Sequence, residues 1–315
     1  MKRALATGVA AAAAARFAYA ALKRCPPGGA KTWSRTNHRG EPVTLLEGPA
    51  AAIGAVTAAA FLSAGPVSAG LVSAGPVSAG PVSADPVSAE RARLTRALAV
   101  AGTGAAACGV YDDLVGSGKR RGLRGHLGAL AHGEVTTGAV KLAGIGATGL
   151  ASALVQGGSA TDVVINAGLV AGGANLVNLF DLRPGRAIKV AAASGALIAV
   201  GGAGTGGSFG GMGSVAAPLG AAVALLPEDL GERAMLGDGG ANALGAMLGA
   251  AAAASLPRPA RVGLLGGIVA LTLASEKISF TKVIERTPPL RWLDMLGRRP
   301  PAQPAAEPPV SRQVQ

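Results

Sequence analysis

Apolar runs of about 15 to 20 residues recur along most of this chain, with charges confined to the gaps between them. Backbone crossing lipid must satisfy its own hydrogen bonds, so such runs fold as helices. Nine candidate spans fall at about 4–22, 47–65, 94–111, 138–156, 161–180, 187–205, 211–227, 240–256 and 261–275. Half the residues are hydrophobic and only 15% are charged, against about 25% in an ordinary soluble domain. The expected fold class is all-α: a polytopic membrane protein of about nine transmembrane helices, one unit over residues 1–298. Gly144, Gly172, Gly173, Gly201 and Gly249 are placed to let helices pack closely.

The net charge is +12, from 29 basic and 17 acidic residues. In a membrane protein that excess marks cytoplasmic loops and an anionic leaflet, and no nucleic acid is needed to explain it. Lys23, Arg24, Lys31, Arg35 and Arg39, then Lys119 to Arg124, then Arg183, Arg186 and Lys189, share one side, which is therefore read as cytoplasmic. Arg91, Arg93, Arg258 and Arg261 are the exceptions on the other side. Nine crossings put the N-terminus outside and the tail inside; Lys2 and Arg3 oppose that. The first run is read as an uncleaved helix whose Arg16 snorkels to the interface. Cys25 and Cys108 are too few for a zinc set, and their settings argue against a disulfide.

A five-residue repeat, "SAGPVSAGLVSAGPVSAGPVSADPVSAE", follows the second run. Its prolines forbid a regular helix, so a disordered external loop is expected over 63–92. Proline enrichment predicts a second disordered segment over 299–315. Between the last run and that tail, residues 276–298 pattern as short amphipathic helices on the inner membrane surface.

Carboxylates are scarce, and several sit at the ends of apolar runs. Asp112 and Asp113 close the third, Asp181 closes the fifth, and Asp238 opens the eighth. Ionisable groups at membrane depth are costly and mark function by default. On this topology all four emerge on the cytoplasmic face, so a shared site is expected there. Asn175, Asn178 and Asp181 recur every three residues, on one helix face; the amides suit a sugar or phosphate, or equally a tie between helices. Gly237, Gly239 and Gly240 leave N–H groups open at a helix start. Magnesium takes one or two carboxylates and completes its shell with water and substrate phosphates, so the set suits phosphoryl transfer.

Five stretches in order carry a resemblance: "TNHRGEPVT", "GVYDD", "KRRGLRGHL", "NLVNLFD" and "LGDGGANALG", over Asn37 to Ser279. Together they resemble motifs of the polyprenyl-phosphate N-acetylhexosamine-1-phosphate transferase superfamily, which includes phospho-N-acetylmuramoyl-pentapeptide transferase. The resemblance implies transfer of a sugar 1-phosphate from a UDP-sugar to a polyprenyl phosphate of undecaprenyl type, with Mg2+, releasing UMP in cell-envelope synthesis. It implies Asp238 as principal metal ligand, with Asp113 beside it. Asp112 and Asp113 would bind the metal or deprotonate the lipid phosphate. Asp181 with Asn178 would position the diphosphate, Asn175 would contact substrate, and Lys119 a phosphate. A bacterial inner-membrane location follows, and a homodimer is compatible. Pro184 stands where that superfamily has a second aspartate, and its histidine-rich loop has no counterpart here. The alternative is a catalytically degenerate relative that binds polyprenyl phosphate or a partner enzyme. A secondary transporter would show internal repeats between halves, and none is visible.

Overall fold

The computed structural model describes residues 1–63, 86–116, 132, 136–204 and 210–300. Among them are eleven α-helices and one small hairpin. The helices are α1 (Lys2–Arg24), α2 (Glu47–Ser63), α3 (Pro86–Val115), α4 (Thr137–Gln156), α5 (Ala160–Phe180), α6 (Arg186–Gly202), α7 (Gly210–Leu230), α8 (Gly237–Ser255), α9 (Arg258–Ser275), α10 (Phe280–Arg286) and α11 (Pro288–Met295). Helices α1 to α9 occupy the nine apolar runs.

The crossings are fewer than nine. Among the described residues, α1, α4, α5 and α7 are long and apolar enough to cross a membrane; a fifth is added if α9 and α10, bent by 95°, form one broken span. Helices α2 and α6 have 17 residues each, about 25 Å of rise against a hydrocarbon core of about 30 Å. Helix α8 differs again: Gly239 to Ala253 are all buried, so its alanines and glycines face protein. The chain is thus an all-α, membrane-embedded protein, but the orientation inferred from nine crossings loses its basis.

Helix α8 is the central pillar, packed by α2, α3, α5, α6 and α7. Glycine makes that possible. An added methyl at Gly245 would strike the Gly173 carbonyl on α5, and one at Gly249 the Leu169 carbonyl. Close approach of this kind gains dispersion contacts that lipid cannot supply. Helix α1 joins the bundle through buried Ala11, Ala15 and Ala18. Its Arg16 does not snorkel alone: it pairs with Glu228 of α7 at 2.9 Å.

Two expectations about local structure change. Pro86 to Arg93 form the first turns of α3 rather than loop, because proline in a first turn forfeits no helical hydrogen bond. The rest of the repeat, 64–85, and the tail from 301 to 315 lie outside the described residues. The segment "SRTNHRGEPVT" is an antiparallel hairpin, β1 (Ser34–Thr36) with β2 (Pro42–Thr44), paired Arg35 to Val43. Asn37 Oδ1 folds its turn by accepting the N–H groups of Arg39 and Glu41 at 2.8 and 2.9 Å.

Gly245→Ala should destabilise the detergent-solubilised protein by roughly 1–3 kcal/mol, as overpacking does. Gly266→Ala on α9, where a methyl meets open space, should be neutral or stabilising by up to about 1 kcal/mol. Thermal unfolding of both variants checks the contrast.

Candidate functional site

The site forms where α3 ends and α8 begins. Asp113 Oδ1 accepts the N–H of Asp238 at 3.1 Å, and its Oδ2 accepts the N–H of Gly239 at 2.9 Å. The carboxylate thus satisfies N–H groups that a helix start leaves free, and its charge suits the positive end of the helix dipole. Gly109 and Gly239 let the two backbones meet there, since a Cβ on Gly109 would collide with the Asp238 carbonyl. Gly237 has φ +58°, and Asp113 and Leu45 fill the space a side chain would need.

Asp112, the next residue on α3, points about 100° away around the helix. Its Oδ2 lies 3.5 Å from Lys141 Nζ of α4, and the same ammonium donates to Asp238 Oδ2. With its amide oriented to suit both neighbours, Asn178 donates to Asp238 Oδ1 at 2.8 Å and accepts from Lys141 at 3.2 Å. Asp112, Asp238, Asn178 and Lys141 therefore make one contiguous cluster. Lys141 was not singled out from sequence. A lone lysine at the edge of an apolar run reads as an interfacial anchor, and only the packing of α4 beside α8 gives it partners.

Asp181 caps the end of α5 near Asp113, Asp238 and Asp229. Two further buried acids adjoin it. Asp229 accepts the Gly185 N–H at 3.0 Å, while neither oxygen of Glu47 has a hydrogen-bond partner among the described residues. Both end apolar runs, the signal that marked the other acids, and both were passed over. Asn175 is not brought to the cluster: its amide donates to Thr272 Oγ1 of α9 at 3.1 Å, tying two helices. Lys119 lies outside the described residues. Asp113, expected beside Asp238 as a metal ligand, has both oxygens engaged by α8; Asp112 is the carboxylate that converges with Asp238 on a shared cation.

The C-terminal segment straps this end of the bundle. Phe280 stacks on Phe180, ring centroids 5.1 Å apart, one residue from Asp181. Buried Arg186 forks onto Asp294 at 2.7 and 3.1 Å, and Lys189 donates to the carbonyls of Leu293, Asp294 and Leu296. Farther on, Arg299 pairs with Glu41 of the hairpin, and Arg39 donates to the carbonyls of Arg299 and Pro300. Asp294 faces the protein while Leu290, Trp292, Leu293 and Leu296 stay exposed, the amphipathic pattern expected of an interfacial segment. The hairpin also reaches the connection between α7 and α8: Arg39 and Asn37 each bond buried Glu232 at 2.9 Å. Burial pushes the His38 imidazole down against the opposing charge of Glu232, and Arg183, Arg298 and Arg39 act in the same direction as burial.

Asp112 and Asp238 converge on one ammonium, and magnesium typically takes one or two carboxylates with water and phosphate oxygens. Among the described residues no three His, Cys, Asp or Glu side chains surround a common metal position. No protein-family model and no curated protein matches the chain.

The strap has a pH signature. Burial acts to raise the Asp294 carboxyl, but the Arg186 hydrogen bonds and the charges of Arg186, Arg298 and Lys189 outweigh it and hold it below the usual range. A carboxyl depressed on folding adds stability above its unfolded value of about 3.9 and loses it as pH falls through the folded one. Protection against amide exchange over 288–296, relative to the intrinsic rate at each pH, should therefore be high at neutral pH and fall below about pH 4. Asp294→Asn should show the lowered protection already at pH 7.

Proposed function

We propose that this chain transfers a sugar 1-phosphate from a UDP-sugar to a polyprenyl phosphate and releases UMP, as its resemblance to the polyprenyl-phosphate N-acetylhexosamine-1-phosphate transferases implies. The observation that carries the reading is the convergence of Asp112, Asp238 and Asn178 on Lys141, with Asp113 and Asp181 adjoining. Such a group, at the membrane boundary, suits a reaction between a water-soluble diphosphate and a lipid phosphate. The proposed setting is the bacterial inner membrane, with this face cytoplasmic and the product serving cell-envelope synthesis.

In this reading an oxygen of the lipid phosphate bonds to the sugar-bearing phosphorus of the donor. The bond from that phosphorus to the bridging oxygen breaks, and UMP leaves with that oxygen. Asp238 and a neighbouring carboxylate would hold magnesium, which would supply charge neutralisation for the diphosphate. Lys141 adds a fixed positive charge beside it, which needs no reorganisation during reaction. Asn178 holds Asp238 and Lys141 in register and, with Asp181, orients the diphosphate. Asp112 either shares the metal or takes a proton from the lipid phosphate. Asp113 acts through α8, by fixing where Asp238 stands.

A second reading is favoured by one observation: Arg186, two residues beyond Pro184, is spent on clamping the strap at Asp294. A relative that has lost turnover would keep lipid phosphate or a partner enzyme bound and serve as scaffold or regulator.

UMP release by the purified protein decides between them, assayed with undecaprenyl phosphate, magnesium and a panel of UDP-sugars. Asp238→Asn and Lys141→Met should each lower turnover by ~10³-fold or more without loss of folding. Full activity in Asp238→Asn would sink the assignment, and silence of the wild type with lipid still bound would select the scaffold.

A further inference from the structure

Arg93, Arg258 and Arg261 break the one-sided distribution of bases, and the fold gathers them. The first turns of α3, the end of α4, the start of α5, the end of α8 and the start of α9 meet around a cavity of about 580 Å³. It lies at the end of the bundle opposite the carboxylates, since α3, α5 and α8 carry Asp113, Asp181 and Asp238 at their other ends.

Arg93, Arg261 and Asn166 turn donors toward this cavity, beside the carboxylates of Glu90 and Asp162. Arg93 is exposed on its wall, and no ion pair among the described residues engages it. Asn166 is only 3% exposed; its oxygen accepts from Arg261 Nη1 at 2.7 Å, and its N–H2 has no partner among the described residues. Arg261 is held in place by Asn166 and by Asp162 at 3.1 Å. The Asp162 carboxylate, which would repel an anion, is answered by Arg261, by Arg258 at 3.6 Å and by the Ser159 cap. Leu94, Ala253 and Ala254 supply an apolar wall.

We infer that this cavity binds a phosphate group. A guanidinium fork presents paired N–H donors at phosphate spacing, and the Asn166 N–H2 on the same cavity is a further donor with no partner among the described residues. Arginines on the base-poor face are then held by a ligand as well as by Asp162. The phosphate belongs either to an anionic lipid headgroup, for which the apolar wall suits the adjoining acyl chains, or to a soluble anion. Nothing in this inference depends on transferase activity at the other end.

Two binding measurements on the full chain test it. In detergent, labelled inorganic phosphate is measured by equilibrium dialysis. In nanodiscs of phosphatidylcholine doped with phosphatidylglycerol, the lipids retained on the extracted protein are counted by native mass spectrometry. Arg93→Gln should weaken whichever probe binds by about tenfold, and Arg93→Lys should recover part of it. Because Arg93 is exposed and unpaired, the unfolding temperature should not move in either variant. Retention of phosphatidylglycerol alone assigns a lipid headgroup, and binding of inorganic phosphate alone assigns a soluble anion. Equal binding of both probes by wild type and Arg93→Gln, or no binding by either protein, overturns the proposal.

Discussion

The arrangement rests on one carboxylate, Asp113, placed at the start of a helix from another part of the chain. By accepting the N–H groups of Asp238 and Gly239, it ties α3 to α8 and sets where the first turn of α8 lies. An unanswered N–H at a buried helix start costs about as much as a lost hydrogen bond, so the tie also secures the pillar on which five other helices pack. Asp238 takes its position from this contact. Asp112 gains access to Lys141 because its neighbour is committed elsewhere.

Around that tie the charges are partly balanced. Lys141 answers Asp112 and Asp238, and Arg39 answers Glu232, whereas the Glu47 carboxylate is buried with no hydrogen bond among the described residues. A buried carboxylate without a partner carries a desolvation penalty, which a nearby cation can offset. The C-terminal strap adds arginines at the rim of this acidic region, and docks through Arg186, Lys189 and the Phe180–Phe280 stack. It lies over the end of α5.

Much of this was legible along the chain. Hydropathy located nine helices, and acids at the ends of apolar runs pointed to Asp112, Asp113, Asp181 and Asp238, of which the first two and the last meet around α8. The count of crossings was not legible. An alanine facing lipid and one facing another helix have the same hydropathy, and α8 is apolar because protein surrounds it. Residue spacing placed Asn175 and Asn178 on one face, yet a few degrees of helix rotation send Asn178 to Asp238 and Asn175 to Thr272. The hairpin over 34–44 escaped notice because its three-residue strands carry no alternating pattern to read.

Sequence by itself determined the elements: helices from apolar runs, close packing from glycines, and a membrane setting from scarce charge. These follow from local rules, because a backbone in lipid has few ways to satisfy its hydrogen bonds. Tertiary structure alone decided which charges meet. Lys141 and Asp238 are separated by nearly a hundred residues, as are Asp162 and Arg261. Their pairing depends on which faces of which helices touch, and that is settled by packing summed over the whole bundle rather than by any stretch of chain.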